Sequence, residues 1–417
     1  MPDKTTAALI WLAVLTALGG PVLLQDEPAL LTAFHDDAFY YFQVARNLAT
    51  GQGFTFDGIH RTNGFHPLWL LVVAPVYLFD PGDVTALRVI ALVEASLAAG
   101  AAALIFRTLR GRITAGAAAT ASLLVVALPG AREAFRYGME GALLLFLLAL
   151  VWNRWLAATA DQGATAARWL GLGVACALAF LARLEAGLIV PMIVLAFWRR
   201  LRPRRAALFG IVAPVVVAGA ASLVWNRLVF GLWLPVSGMV KAYHASRQPA
   251  FYWLSGLWEI PWPGHELVCR LWGLPALSHG PLPAQILHGL LVAVLFGAVW
   301  WRRGAVSDAV KLSGIGLPLI VSAGMVAADV RLVHFLYPWA RVPILLSTAL
   351  VSGALLHRLP GIALRAAAAL GVAVAILSPL RALGADDPST HYPVYRALAA
   401  RWIDEHLPPD HRVGSWN

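Results

Sequence analysis

The chain has 417 residues, 59% of them hydrophobic and 13% charged, with a net charge of +10 and a mean hydropathy of +0.70. A soluble domain carries about 25% charged and roughly 45–50% apolar residues, so soluble enzymes, disordered chains and collagenous or disulfide-stapled scaffolds are excluded and a polytopic membrane protein remains. The positive charge does not point to nucleic acid: the arginines form short knots between apolar runs, at Arg107/Arg110/Arg112, Arg199/Arg200/Arg202/Arg204/Arg205 and Arg302/Arg303, which is the positive-inside pattern of membrane topology and not a basic binding face.

A spanning helix needs about 20 mostly apolar residues. In chain order the predicted spans are 6–24, 84–106, 113–129, 141–159, 168–182, 187–198, 206–224, 285–301, 309–327, 338–356 and 361–380. The first has one lysine, no small-residue cleavage pattern, and Gln25-Asp26-Glu27-Pro28 behind it. It therefore reads as an uncleaved span and not a signal peptide.

The segment that follows, 25–83, contains Phe34-His35-Asp36-Asp37-Ala38-Phe39-Tyr40-Tyr41-Phe42-Gln43-Val44-Ala45-Arg46-Asn47-Leu48 and then Gly51-Gln52-Gly53-Phe54. Asp36 and Asp37 begin an aromatic-rich helix suited to the membrane interface. One reading is helix capping, in which an Asp at the N-cap accepts a backbone N–H and contributes about 1 kcal/mol. The other is catalytic: two adjacent carboxylates exceed what a cap requires, and like charges this close raise one pKa, which suits a general base.

The apolar run 67–79 spans only about 20 Å as a helix, against a hydrocarbon core of about 30 Å. Counting it as a span would put the 107–112 and 199–205 knots outside. As a helix lying in the interface it leaves every knot cytoplasmic, which gives eleven spans with the N-terminus in and the C-terminus out. The stretch 169–198 is long for one helix and short for two. Arg183 and Glu185 interrupt it, so two short helices are predicted to meet at Arg183-Leu184-Glu185-Ala186-Gly187, since residues this close cannot share a helix face.

The segments 25–83, 225–284 and 381–417, and short ones around 130–140 and 328–337, then all face the non-cytoplasmic side. Residues 249–283 are rich in proline and read as a loop with short helices. Its Trp253, Trp258, Trp262 and Trp272 suit an interfacial belt or a sugar-stacking surface. Cys176 and Cys269 match no metal or redox spacing. Lysine occurs only at Lys4, Lys241 and Lys311, which points to a GC-rich bacterial genome.

An acidic pair just after the first span, an aromatic helix, G-x-G, a turn and a short Pro-Leu-Trp helix resemble the first outer loop of the GT-C glycosyltransferases, the superfamily of protein O-mannosyltransferases, aminoarabinose transferases and actinobacterial arabinosyltransferases. The resemblance implies an all-α membrane enzyme using a polyprenyl-phosphate sugar on the outer face, with a catalytic Asp in that loop and two juxtamembrane helices before the second span. Asp36-Asp37 stands at the acidic motif, and Asn63-Gly64-Phe65-His66-Pro67-Leu68-Trp69 opens the second juxtamembrane helix. Arg132-Glu133-Ala134-Phe135-Arg136-Tyr137-Gly138-Met139-Glu140-Gly141 is similar to a loop that carries a second acidic residue, a position matched by Glu140. Asn226-Arg227 to Gly231, then Leu234-Pro235-Val236-Ser237-Gly238 and Lys241, resembles the G-x-x-x-P-x-S-G-x-x-K stretch of one bacterial branch. Arg183-Leu184-Glu185-Ala186-Gly187 resembles its R-P-[DE]-G without the proline. Arg401-Trp402-Ile403 through Val413-Gly414-Ser415-Trp416-Asn417 looks like the start of an extracytoplasmic tail that family chains continue. The expected organisation is a transmembrane domain over 1–380 followed by a tail, 381–417, that begins a longer segment.

The implied reaction moves a sugar from a lipid phosphate to an acceptor hydroxyl with inversion. A carboxylate takes the hydroxyl proton and cations stabilise the departing phosphate. Asp36 is the expected base, Asp37 its backup or orienting partner, and Glu140 the second acid. For the phosphate the candidates are Lys241, Arg183 and Arg331, then His244 and His334; His35, Tyr40, His66, Glu185 and Tyr337 are candidates for the substrate pocket. Charges inside a membrane cost at least about 2.5–3.5 kcal/mol, which marks Arg183 and Glu185 for function, although the two also read as an ion pair holding helices together. Arg331 and His334 also read as interface anchors.

No cofactor is required by this reaction. A divalent metal could bridge carboxylates and phosphate among His35, Asp36, Asp37, His60 and His66, although no local spacing resembles a metal-ligand pair. The expected partners are the polyprenyl-phosphate sugar, a glycan, lipid or protein acceptor, and the bilayer, with no nucleic acid. The expected place is the bacterial inner membrane with the site facing the periplasm. A lipid transporter or flippase is the rival class, but no internal repeat is visible and the break at 183–187 has no counterpart in the second half. An inactive paralogue that only binds polyprenyl lipid is the third reading.

Overall fold

A computed structural model describes residues 2–128, 131–136, 138–160, 164–247, 314–333 and 342–358. The expected spans at 285–301 and 361–380, the four tryptophans of the 225–284 segment, His334, Tyr337 and the tail 381–417 lie outside the described residues. Hydrocarbon offers the backbone no hydrogen-bond partners, so an open chain crosses it only as helix. Among the described residues every regular element is helical, and the one β contact is an isolated bridge between Thr55 and Arg61.

The elements are α1 (Pro2–Leu24), α2 (Glu27–Leu31), α3 (Asp36–Ala49), α4 (Pro67–Val73) continued by a 3-10 turn (Ala74–Phe79), α5 (Asp83–Arg110), α6 (Ala115–Ala127), α7 (Ala131–Arg136), α8 (Gly141–Thr159) and α9 (Ala166–Ala182). A 3-10 turn (Leu184–Leu188) leads to α10 (Ile189–Ala196), α11 (Trp198–Leu201), α12 (Arg205–Phe230), α13 (Val236–Arg247), α14 (Gly316–Val333) and α15 (Val342–Arg358). Among these, α1, α5, α8 and α12 are long and apolar enough to cross a membrane, and α6, α9, α14 and α15 add shorter apolar helices to the bundle.

Polar contacts fix which ends lie together. Arg110 Nε donates to Asp3 Oδ1 at 2.9 Å, and Arg88 Nη2 donates to Gln25 O at 3.0 Å, so α1 and α5 run antiparallel and are pinned at both ends. Arg200 donates to Thr159 O, and the Thr114 N–H reaches His357 Nδ1 at 3.3 Å. The arginine-rich turns after α5 and α11 therefore share one end of the bundle with the ends of α8 and α15. The long first loop, the 138–140 turn and the 183–188 bend gather at the other end.

The 67–79 run is not one continuous α-helix: α4 gives way to a 3-10 turn at Ala74. It starts where the His66 N–H donates to Tyr41 Oη at 3.0 Å and ends where Asp83 pairs with Arg46, whose guanidinium also lies 5.3 Å from the Tyr77 ring centroid. Both ends are thus tied to α3. The predicted bend is present too: Arg183 is extended (φ −153°, ψ 129°) between α9 and the 3-10 turn. α9 packs closely on α12 at two glycines, where a Cβ on Gly173 would come within 2.1 Å of Gly210 O; small residues let helix backbones approach in this way.

Two expectations need correction. The helix expected over 206–224 is longer: α12 runs Arg205–Phe230, and Gly231 ends it with φ +73°, as a left-handed C-cap does. The α3 N-cap is His35 and not an aspartate: its imidazole accepts the Asp37 N–H at 3.2 Å. Asp36 and Asp37 are already helical, in the first turn, where carboxylates suit the helix dipole.

Candidate active site at the loop end of the bundle

α3 buries Ala38, Tyr41, Phe42 and Ala45 along one stripe, the i, i+3, i+4, i+7 spacing of an amphipathic helix. That burial leaves His35, Asp36 and Asp37 at its start with side chains 31%, 38% and 58% exposed. His35 Nδ1 lies 2.8 Å from Asp36 Oδ1 and 3.8 Å from Asp37 Oδ2. The Asp37 N–H donates to Asp36 Oδ1 at 2.9 Å and lies 3.2 Å from the same His35 nitrogen, so the three residues share one short hydrogen-bonded turn. One ligand atom from each of the three residues lies within 4.8 Å of the others, so the segment does carry a metal-compatible set that spacing rules for separated ligands passed over. Two carboxylates and an imidazole suit a divalent ion such as zinc or manganese. His60 is not part of the set: its Nδ1 sits 2.6 Å from Asp57 Oδ2 at the exposed tip of the loop. Hydrogen bonds from the His60 side chain and backbone hold the Asp57 carboxyl well below the ordinary range.

A buried charged network forms around Arg183. Arg183 Nη1 donates to Glu140 Oε1 at 2.8 Å, its Nε donates to Glu185 Oε1 at 2.5 Å, and its Nη2 also meets Glu185. Glu140 is fully buried, with His66 Nε2 3.7 Å from Oε1, and its Oε2 accepts no hydrogen bond from the described residues. A charge taken out of water is costly unless paired and hydrogen-bonded, and here two carboxylates share one guanidinium with an imidazole nearby.

Tyr41 joins the two clusters. Burial holds its phenol well above the ordinary value, and the negative charge of Glu140 adds to the effect; Asp37 also acts on it, with Arg183 opposing. Asp37 and Tyr41 are four residues apart and so share a helix face.

Glu140 is placed by the turn before it. The Gly138 N–H donates to Glu94 Oε2 of α5 at 3.1 Å, and Trp69 Nε1 of α4 donates to Gly138 O at 3.0 Å. Gly138 has φ +67°, and a Cβ there would lie 2.6 Å from Phe42 and 2.7 Å from Phe34. Only glycine fits this left-handed position against α3.

The predicted residues thus divide. His35, Asp36 and Asp37 form the exposed cluster, and His66, Glu140, Arg183 and Glu185 the buried one. Tyr40 belongs to neither: its Oη lies 2.5 Å from Thr62 Oγ1, and burial raises its phenol. Arg183 is held by two carboxylates, so it reads as the centre of a structural network more than as a phosphate cation. Lys241 and His244 lie on α13 and Arg331 in the last turn of α14; α14 packs against both α13 and the 184–188 turn. The sequence reading missed Tyr41 and Glu94. The i+4 spacing from Asp37 was a signal for Tyr41, whereas the partner of Glu94 is 44 positions away and leaves no local mark.

No protein-family pattern and no curated protein matches the chain. Solved structures do. ArnT from Cupriavidus metallidurans bound to undecaprenyl phosphate matches with a TM-score of 0.53 and 14% identity over 98% of this chain and 66% of that one. The Archaeoglobus fulgidus oligosaccharyltransferase in complex with Zn and sulfate matches with a TM-score of 0.54 and 17% identity over 97% of this chain and 55% of that one. The same archaeal enzyme, AglB, with an inhibitory peptide and a dolichol-phosphate gives 0.51 and 15% over 98% and 58%. Both neighbours are GT-C glycosyltransferases, and the chain has their fold. It spans between 55% and 66% of the length of these three structures.

Proposed function

We propose that this GT-C fold carries a membrane glycosyltransferase, moving a sugar from a polyprenyl-phosphate donor to an acceptor hydroxyl. The observation that carries the reading is the half-exposed Asp36/Asp37 pair on the same helix as Tyr41, whose buried phenol feels both Asp37 and the Glu140–Arg183 pair. The lipids bound by the neighbours, undecaprenyl phosphate and dolichol-phosphate, support the donor class.

In the proposed step the acceptor oxygen attacks the anomeric carbon as Asp36 takes its proton. The bond from that carbon to the phosphate oxygen breaks, the lipid phosphate leaves with the electron pair, and the anomeric centre inverts. His35, 2.8 Å from Asp36, holds the base in place, and Asp37 orients it or takes its role. Lys241, with Arg331, His244 and His334, would meet the phosphate, and a cation matched to a developing charge acts mainly in the transition state. Should a divalent ion be used, His35, Asp36 and Asp37 would hold it, and it would supply charge stabilisation at the phosphate. The arginine-rich end is assigned to the cytoplasm by the charge rule, which puts the site on the periplasmic face of a bacterial inner membrane.

Sugar transfer in reconstituted membranes tests this with a panel of radiolabelled polyprenyl-phosphate sugars and envelope acceptors. Wild type should transfer from one donor, and Asp36→Asn should lose about 10²–10⁴-fold, as removal of a general base does, while still binding lipid. No transfer from any donor, or transfer indifferent to both Asp36→Asn and Asp37→Asn, would sink the carboxylate mechanism in favour of lipid binding or transport.

A further inference from the structure

We infer that Asn63, on the first loop, is a positioning residue that fixes the start of α13 and so the placement of the helix that carries Lys241, an inference that rests on the proposed donor-binding role of Lys241. The first N–H groups of a helix have no partner inside it. At the start of α13 the N–H groups of Gly238 and Met239 reach Pro235 O at 3.1 and 3.2 Å. The Val236 N–H goes instead to Asn63 Oδ1 at 3.0 Å, from a residue 173 positions earlier. The other end of the same amide donates to Leu234 O at 3.3 Å and to Asn226 Oδ1 at 3.2 Å. Asn63 is 2% exposed, so one buried side chain ties together the end of α12, the 231–235 turn and the first residue of α13.

The segment around Asn63 is itself held from the side of α3. Tyr40 Oη meets Thr62 Oγ1, and the His66 N–H donates to Tyr41 Oη. Asn47 Nδ2 donates to Thr55 O at 3.0 Å and Phe56 O at 3.1 Å. On the α12 side Phe54 and Phe65 pack on Trp225 and Phe230, and Arg61 Nη1 donates to Val229 O at 3.1 Å. Residues 61–66 thus form a strap from the helix that begins with Asp36 and Asp37 to the helix that carries Lys241. A side-chain cap delivered from the first loop makes the placement of one depend on the other.

The test uses the full chain in detergent and in vesicles, with Asn63→Ala, Lys241→Ala and the double variant. Hydrogen exchange comes first, since it needs no ligand: Asn63→Ala should speed exchange in the first turn of α13 while α3 stays protected. Binding of undecaprenyl phosphate should weaken about tenfold in Asn63→Ala. The double variant should bind no more weakly than Lys241→Ala, because a residue acting through Lys241 has nothing left to act on. In transfer assays the donor KM should rise with kcat within about threefold. Unchanged exchange in α13, unchanged affinity, or additive losses in the double variant would each overturn the positioning role. If wild type fails to bind undecaprenyl phosphate while exchange responds as expected, the donor reading is what fails, and the link to Lys241 falls with it.

Discussion

Tyr41 accepts the His66 N–H at 3.0 Å while buried beside Glu140. Tyr41→Phe keeps the ring and removes the acceptor, leaving a part-buried backbone N–H without its bond. That costs about 1–3 kcal/mol at neutral pH, and chemical denaturation of the purified chain should show a loss of that size. The pH dependence has a definite sign. Burial raises the folded phenol above the ordinary value of 10.0, so the wild-type contribution is fully present below that pH. As the pH rises toward the folded value the unfolded chain ionises first and the contribution is lost. Phenylalanine has no proton to lose, so the deficit of Tyr41→Phe should shrink above about pH 10. A deficit that stays constant to pH 11 would mean that the phenol is not perturbed. Glu94 makes the complementary point about legibility: an isolated acid in an otherwise apolar span looks like a defect until its acceptor role at Gly138 is seen.

The turn over residues 138–141 is where sequence pattern and structure part. Helix starts and the breaks at 67–79 and 183–187 were readable because each is set locally, by a proline, a short apolar run or a pair of charges. The placement of Glu140 is not local: Gly138 is gripped by Glu94 of α5 and Trp69 of α4 and pressed on Phe34 and Phe42, and no pattern of one segment encodes these four partners. Gly138→Ala should therefore combine left-handed strain with overpacking, about 2–4 kcal/mol together. Transfer activity should fall with it, since Glu140 moves. Gly51 is the control: φ is +83° but nothing lies within 4 Å of an added Cβ, so Gly51→Ala should cost only the backbone strain, about 1 kcal/mol. Equal losses in thermal unfolding would show that the close approach at Gly138 contributes little. The long C-terminal reach of α12 was missed for the opposite reason. A span needs only about 20 residues, so nothing in hydropathy says where a helix leaving the hydrocarbon should stop; the left-handed glycine at 231 does.

At the scale of the molecule, the class and the order of the early helices follow from composition and charge, whereas the meeting of the first loop with α12 and α13 follows from contacts over 160 positions apart. The end-to-end arrangement makes the orientation testable. Asp3, Arg110, Arg200 and His357 mark one end, and the acidic pair, Glu140 and the first loop the other. Ile59 is 61% exposed near the tip of the first loop, and Gly111 follows α5 at the arginine end with room for a side chain. In a chain with Cys176 and Cys269 replaced by alanine, Ile59→Cys should react with a membrane-impermeant maleimide in intact cells, and Gly111→Cys only after permeabilisation. Positive charge resists translocation, and a lipid-linked sugar presented on the outer leaflet can meet Asp36 only if this pattern holds. The reverse pattern would place Asp36 and Asp37 in the cytoplasm and require a donor on the inner leaflet; labelling of both sites from outside would mean that the 67–79 run, or another apolar segment between them, has been assigned to the wrong side of the bilayer.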